Sequence, residues 1–177
     1  YKRSDISKDK QGFNCEIEEF EANLKTQATS LKSFDHKLRT YRLALATTGE
    51  YSQFHIKAEN AQGASDAVKK AIVFSAMETA LTRINALFLN DLSIRMEFAD
   101  GNHRLIYLDP MTDPYSNDNL DFLPSENQRN CDDVVGSTNY DIGHLFSTNA
   151  EGGATSSLGI VCVNGVKAKS VSGSLLP

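Results

Sequence analysis

The stretch that decides the fold is residues 65–92, SDAVKKAIVFSAMETALTRINALFLNDL. Its apolar residues recur at steps of three and four, which predicts one long helix with an apolar stripe. Ser65 suits the N-cap, and Asp66 lies where the helix dipole favours an acid. We expect this helix to be the backing on which a sheet is laid. The stripe comprises Val68, Ile72, Val73, Ala76, Met77, Ala80, Leu81, Ile84, Leu87 and Phe88.

Strand patterns flank this helix on both sides. Residues 38–48 (LRTYRLALATT) and 93–99 (SIRMEFA) alternate apolar with polar side chains. A strand, a long helix and a second strand predict a parallel pair joined by a crossover. Further along we expect an extended piece at 103–108, a helix at 125–136, a strand at 140–148 and an extended piece at 166–172. The fold class is therefore α/β, with a twisted, mostly parallel sheet of four or five strands.

Size and charge limit the function. A chain of 177 residues with 40% hydrophobic residues suits one domain with a real core. The net charge of -5 argues against nucleic acid as the main partner. We find no run of eighteen apolar residues and therefore expect no membrane span.

The three cysteines, Cys15, Cys131 and Cys162, allow two interpretations. One is a disulfide with an odd thiol in a secreted protein, and the other is three reduced thiols. Cys131 lies inside a predicted helix, where nothing local makes it a nucleophile. Cys15 is the odd residue: it is unpaired, bonded to a cysteine elsewhere, or a thiolate that caps a metal in a latent precursor.

Metal-binding signals are weak in this sequence. His36, His55, His103 and His144 are scattered, without the i, i+4 pair of a zinc helix. We expect His144 to be a packed or surface residue of its strand. The loop at 109–121 (DPMTDPYSNDNLD) has clustered oxygens that suit calcium, although such runs are usually turns.

Four long phrases carry a resemblance to a known family: residues 41–51 (YRLALATTGEY), 66–85 (DAVKKAIVFSAMETALTRIN), 140–148 (YDIGHLFST) and 162–173 (CVNGVKAKSVSG). Together they resemble bacterial reprolysin-like, adamalysin-related zinc metallopeptidases of the metzincin clan. The resemblance implies an incomplete catalytic domain at 38–177, corresponding to its upper subdomain. Residues 1–37 are then an N-terminal extension or a propeptide remnant, with a helix at about 16–32.

The resemblance also implies a mechanism and a substrate. In this family zinc activates a water molecule for attack on a peptide bond, and His-Glu-x-x-His-x-x-Gly-x-x-His on a helix holds the metal. That motif would follow Gly173, so no catalytic residue, no metal ligand and no bound catalytic zinc are expected in this chain. An edge strand, here Gly153, Ala154, Thr155 and Ser156, would pair with extended peptide or protein substrate. A flexible surface loop is the alternative for this segment.

Export is typical of these bacterial enzymes. The resemblance therefore favours a secreted protein with a Cys131–Cys162 disulfide. Two alternatives to a single-chain peptidase stay open. The chain is one piece of a cleaved two-chain peptidase, with the C-terminal part of the same precursor as partner, or it is a non-catalytic peptide-binding module.

Overall fold

A computed structural model describes residues 14–17 (backbone only), 37–116, 119–148 and 152–174. The strands are β1 (Asn14–Ile17), β2 (Arg39–Thr47), β3 (Ile94–Phe98), β4 (Ile142–Ser147), β5 (Gly152–Thr155) and β6 (Ser170–Gly173). The helices are α1 (Gly49–Ala58), α2 (Asp66–Leu92) and α3 (Leu123–Val134), with a short 3-10 helix at Asn102–Leu105. Strands β2 and β4 and helices α2 and α3 confirm elements that the sequence predicts.

The described strands form one sheet in the order β1-β5-β6-β4-β2-β3. Strand β2 lies between β3 and β4 and is parallel to both, as the crossover argument predicts. Strand β6 is parallel to β4, and β5 is antiparallel to β6. The predicted α/β class with a mostly parallel sheet is confirmed, and β1 adds a strand to the four or five expected.

Hydrophobic cores cover both faces of β2, which explains why its residues 43–46 are all apolar. Leu43 and Leu45 pack towards α2, whereas Ala44 and Ala46 face the α3 side. A strand buried on both faces reads as a continuous apolar run. On the first face α2 contributes Val73, Met77 and Leu81, all buried. On the other face α3 lies against β4 and β6, with Leu123, Leu145 and Val171 in its core.

Helix α2 also has a length and composition that would suit a membrane span. Its Val73, Met77 and Leu81 nevertheless pack against the sheet, and Asn85 exchanges hydrogen bonds with the backbone of Met96 in β3. The helix leads directly into β3, which pairs with β2. These contacts place α2 within the α/β domain as its backing helix.

The expected extended piece at 103–108 is wrong for its first half, because Asn102–Leu105 forms a 3-10 helix. Strand β3 ends where Ala99 N donates to Leu43 O. The side chain of buried Asn102 then takes the place of a strand: its Oδ1 accepts from Leu45 N at 2.8 Å, and its Nδ2 donates to Leu45 O at 3.1 Å. Only Ile106 returns to the sheet, in a single bridge to Thr47.

Helix α3 fixes the approach to β6 through buried amides. Its Gln128 Oε1 accepts from Ala168 N at 2.7 Å, and its Asn127 Nδ2 donates to Ala168 O at 2.7 Å. The helix begins at Leu123 rather than at the predicted Ser125, with Pro124 in its first turn, where proline is tolerated. Two amide side chains therefore hold the segment that enters β6.

The predicted helix at about 16–32 begins inside a strand, since residues 16 and 17 belong to β1. The rest of that prediction lies outside the described residues. The division into an N-terminal segment, 1–37, and a catalytic-domain part, 38–177, stays a prediction.

Candidate substrate-binding edge and docking groove

Strand β5 contains three of the four predicted substrate-binding residues. Gly153, Ala154 and Thr155 pair with Ser172, Val171 and Ser170 of β6, respectively. Ser156 lies just beyond the strand, and its N–H donates to Lys169 O at 3.1 Å. The segment is thus a regular strand rather than the alternative surface loop.

The outer side of β5 is paired as well. Strand β1 runs parallel to it, with Asn14 opposite Gly152 and Ile17 opposite Thr155. Strand β1 rather than β5 is therefore the last described strand on this side of the sheet, and substrate binding by residues 153–156 stays a prediction. Sequence patterns could not show this pairing, which joins segments more than 130 residues apart.

Beside β4 and β6 lies an apolar depression that we call the docking groove. It consists of two adjoining cavities of about 270 and 240 Å³ that share Phe146 and Ser172. Helix α2 forms one wall with Ala80, Leu81, Ile84 and Phe88. The sheet and the end of β6 complete the lining, with Tyr51, Leu43, Leu45, Met96, Ile142, His144, Ser147, Gly173 and Ser174. Helices α1 and α2 pack on this face of the sheet, and residues of β4 and β6 beside them line the groove.

His144 lies on the floor of this groove with both ring nitrogens hydrogen-bonded. Ser170 Oγ donates to Gly143 O at 2.9 Å, so it accepts from His144 Nδ1 at 2.7 Å. Nε2 then carries no proton and accepts from Ser172 Oγ at 3.0 Å. Burial lowers the pKa of His144 to about 4, because desolvation penalises the imidazolium. The ring is therefore neutral at pH 7 and ties β4 to β6.

The serines that hold this ring were missed from the sequence. Ser170 and Ser172 are two residues apart in a short strand, so both side chains point to the same face. Two serines at this spacing, in a strand that pairs with a strand containing a histidine, are the sequence signal that could have predicted these hydrogen bonds.

Comparison with protein families adds a finding to this geometry. The model of the metallo-peptidase family M12B, reprolysin-like, matches residues 37–175. The chain belongs to this family. The match covers the whole span from β2 to β6 and confirms the resemblance drawn from the four sequence phrases. A comparison with curated proteins gave no match.

Zinc is the metal that this reprolysin-like family generally uses. Among the described residues, no group of three or more His, Cys, Asp or Glu side chains could hold a metal ion. His144 is committed to its two serines, and His103 lies exposed in the 3-10 helix. The described part of the reprolysin-like domain therefore does not itself fit a zinc ion, and we assign it no metal-dependent step.

Two carboxylates of the loop at 109–121 accept hydrogen bonds from nearby backbone and side-chain groups. Residues 117 and 118 of this loop lie outside the described part of the chain. Asp113 accepts from the backbone N–H groups of Gly49 and Tyr115 at 2.6 and 3.0 Å. Asp109 accepts from Met111 N at 2.9 Å and from Thr112 Oγ1 at 3.2 Å. These bonds fit the turn interpretation of the loop, and calcium binding stays a prediction.

The predicted Cys131–Cys162 disulfide is wrong for this structure, in which both thiols are free. Cys131 is fully buried in α3, where a methyl group added to Gly143 of β4 would lie 3.5 Å from its Sγ. Cys162 is exposed in a turn, with φ at 63°. Burial raises the pKa of Cys131 to about 12, so its thiol is protonated and inert at pH 7.

Proposed function

We propose that this chain is the N-terminal part of the catalytic domain of a secreted, zinc-dependent metalloendopeptidase that cleaves peptide or protein substrates. The observation that carries the proposal is the family match across residues 37–175. The docking groove supports it, because this face of the sheet has room for a further element.

The groove suits an amphipathic helix. Its lining is almost entirely apolar apart from His144 and the serines around it, and the imidazole is neutral and hydrogen-bonded. Gly173 and Ser174 border the groove, so the chain leaves β6 at its rim. We therefore assign the groove to a helix that follows residue 174 in the natural gene product and that carries the zinc ligands.

The substrate is an extended peptide bound along β5, whose outer side carries β1 in this structure. Gly152, Gly153 and Ala154 have no bulky side chains, so a second backbone can approach closely. Backbone hydrogen bonds along a strand give affinity with little demand on sequence. This favours an endopeptidase with broad tolerance at the positions that pair with β5.

A matched pair of variants tests the groove in the natural gene product that contains this chain. Ala80→Glu places a charge in the groove, whereas Thr79→Glu places the same charge on the exposed side of α2. Zinc content is measured by mass spectrometry and casein cleavage with and without a chelator. We expect the parent and Thr79→Glu to bind one zinc and to cleave casein, and Ala80→Glu to lose both.

Other outcomes contradict the proposal in different ways. A parent protein that holds no zinc and cleaves nothing, yet binds extended peptides, would identify a non-catalytic peptide-binding module. Intact mass of the secreted parent separates a single chain from two pieces of a cleaved precursor. Equal activity in the two glutamate variants would show that the groove receives no helix.

A further inference from the structure

Strand β3 lies at the end of the sheet opposite to β1. Among the described strands only β2 pairs with it, and its other side faces no neighbouring strand. Ser93 O accepts a hydrogen bond from β2, and Ala99 N donates one to β2. Because these directions alternate along a strand, the backbone groups of Ile94, Met96 and Phe98 point to the outer side. These three residues form the row of N–H and C=O groups to which a further strand would add.

The side chain of Asn85 in α2 occupies the middle of this row. Its Oδ1 accepts from Met96 N at 2.8 Å, and its Nδ2 donates to Met96 O at 2.8 Å. Neighbouring strands lie about 4.7–4.9 Å apart, which leaves no room for a side chain between them. A further strand can therefore pair with β3 only after Asn85 has left Met96 and has given up both hydrogen bonds.

The sequence of β3 is complementary to a second copy of itself. In an antiparallel pair centred on Met96, the two Met96 residues lie opposite one another and exchange both of their backbone hydrogen bonds. Arg95 then lies opposite Glu97 of the other copy, and Ile94 lies opposite Phe98. Arg95 and Glu97 are exposed, and cross-strand pairs of opposite charge stabilise a sheet. The two central bonds of this pair are the ones that Asn85 takes.

We propose that the outer edge of β3 is a self-complementary interface for a second copy of this chain, and that Asn85 keeps this interface closed. The proposal does not depend on the proposed function. A cavity of about 500 Å³ lies between α2 and this edge, and Thr82, Arg95 and Glu97 are among its lining residues. Another chain can therefore reach the edge from solvent. Exposed strand edges are where copies of a protein associate, and natural proteins protect them.

Asn90 provides a matched control on the same helix. Its Nδ2 donates to Ala86 O at 2.9 Å within α2, and both residues are exposed. Asn90→Ala therefore removes an asparagine side chain and one hydrogen bond from α2 without changing β3. Asn85→Ala instead frees the N–H and C=O of Met96 at the edge.

The test measures self-association of the full 177-residue chain by sedimentation velocity, with circular dichroism as the check of folding. We expect the parent and Asn90→Ala to be monomers. Asn85→Ala should form a dimer of twice the parent mass, with self-association at least about 10-fold tighter than that of the parent. Asn85→Ser should do the same, because its shorter side chain cannot reach both groups of Met96.

The charged residues of β3 test the register of the dimer. Glu97→Arg, added to Asn85→Ala, places arginines opposite one another and should return the protein to the monomer. Arg95→Glu, added to these two substitutions, restores opposite charges across the pair and should restore the dimer.

Amide hydrogen exchange in the parent tests the closed edge without any substitution. The N–H of Met96, bonded to Asn85, should exchange at least about 10-fold more slowly than the outward N–H groups of Ile94 and Phe98. Equal rates would overturn the proposal even where the Asn85 variants fail to fold.

Other results also overturn it. Folded Asn85 variants that stay monomeric would show that this edge is no interface. A parent or an Asn90→Ala variant that dimerises would show that Asn85 is not what keeps the chain monomeric. A dimer of Asn85→Ala that is indifferent to Glu97→Arg would show that the copies do not pair through β3 in this register.

Discussion

Replacement of Asn102 should destabilise this domain more than almost any other single polar substitution. The side chain is 3% exposed and satisfies both the N–H and the C=O of Leu45 in the central strand. In Asn102→Ala these two buried backbone groups lose their partners, and each unsatisfied group costs about 1–3 kcal/mol. The free energy of unfolding should therefore fall by about 2–6 kcal/mol, a large share of the 5–15 kcal/mol typical of a domain.

Urea unfolding followed by circular dichroism measures this loss. The urea concentration at the midpoint of unfolding should fall, while the slope of the unfolding free energy against urea concentration stays constant. Asn102→Leu keeps the volume of the side chain but not its hydrogen bonds, and it should lose about as much as the alanine variant. His103→Ala, at the exposed neighbouring position, should stay within about 0.5 kcal/mol of the parent. A loss below about 1 kcal/mol in both Asn102 variants would refute the view that this amide replaces a strand.

Three further predictions follow from the core and the groove. Gly143→Ala should lower the free energy of unfolding by about 1–3 kcal/mol, because the added Cβ would lie 2.2 Å from the Cβ of Ala168. Gly63→Ala adds its Cβ in open space and should leave the free energy of unfolding unchanged in the same urea assay. In the folded state His144 stays neutral down to about pH 4, whereas in the unfolded chain it binds a proton near pH 6.5. The unfolded state therefore holds more protons between these values, and stability should fall as the pH drops through this window, by up to about 1.4 kcal/mol per pH unit. Unfolding curves of the parent and of His144→Phe isolate this slope, and equal slopes in the two proteins would contradict it. Maleimide should label Cys162 within minutes but Cys131 only after unfolding, as peptide mass mapping would show; rapid labelling of Cys131 would contradict its burial.

Local sequence patterns predicted the helices and strands whose buried side chains recur at a regular spacing along the chain. The three- and four-residue spacing of residues 65–92 gave α2, since a stripe of that period has only one consistent geometry. The alternation of apolar and polar side chains over residues 38–48 likewise indicated the strand that forms β2. The same local patterns gave the order strand, long helix, strand, helix and strand, which the structure confirms.

Elements that depend on one long-range partner were not predictable in this way. Asp100-Gly101-Asn102 reads as an ordinary turn, and nothing local shows that Asn102 reaches across to Leu45. Strand β1 is a strand because β5 lies beside it, although its residues also fit a helical spacing. The Cys131–Cys162 pairing came from the family resemblance, and no local pattern shows that Cys131 is buried whereas Cys162 is exposed.

The position of β2 between β3 and β4 has a consequence for biosynthesis. Arg42 of β2 bonds Asp141, 99 residues further along the chain, just before β4 begins. A nascent chain that has completed β2, α2 and β3 still lacks one neighbour of its most apolar strand until β4 leaves the ribosome. From the end of β3 at Phe98 to the end of β4 at Ser147, synthesis at about 5–20 residues per second takes about 2–10 s. During it the open edge of β2 is a natural target for a chaperone.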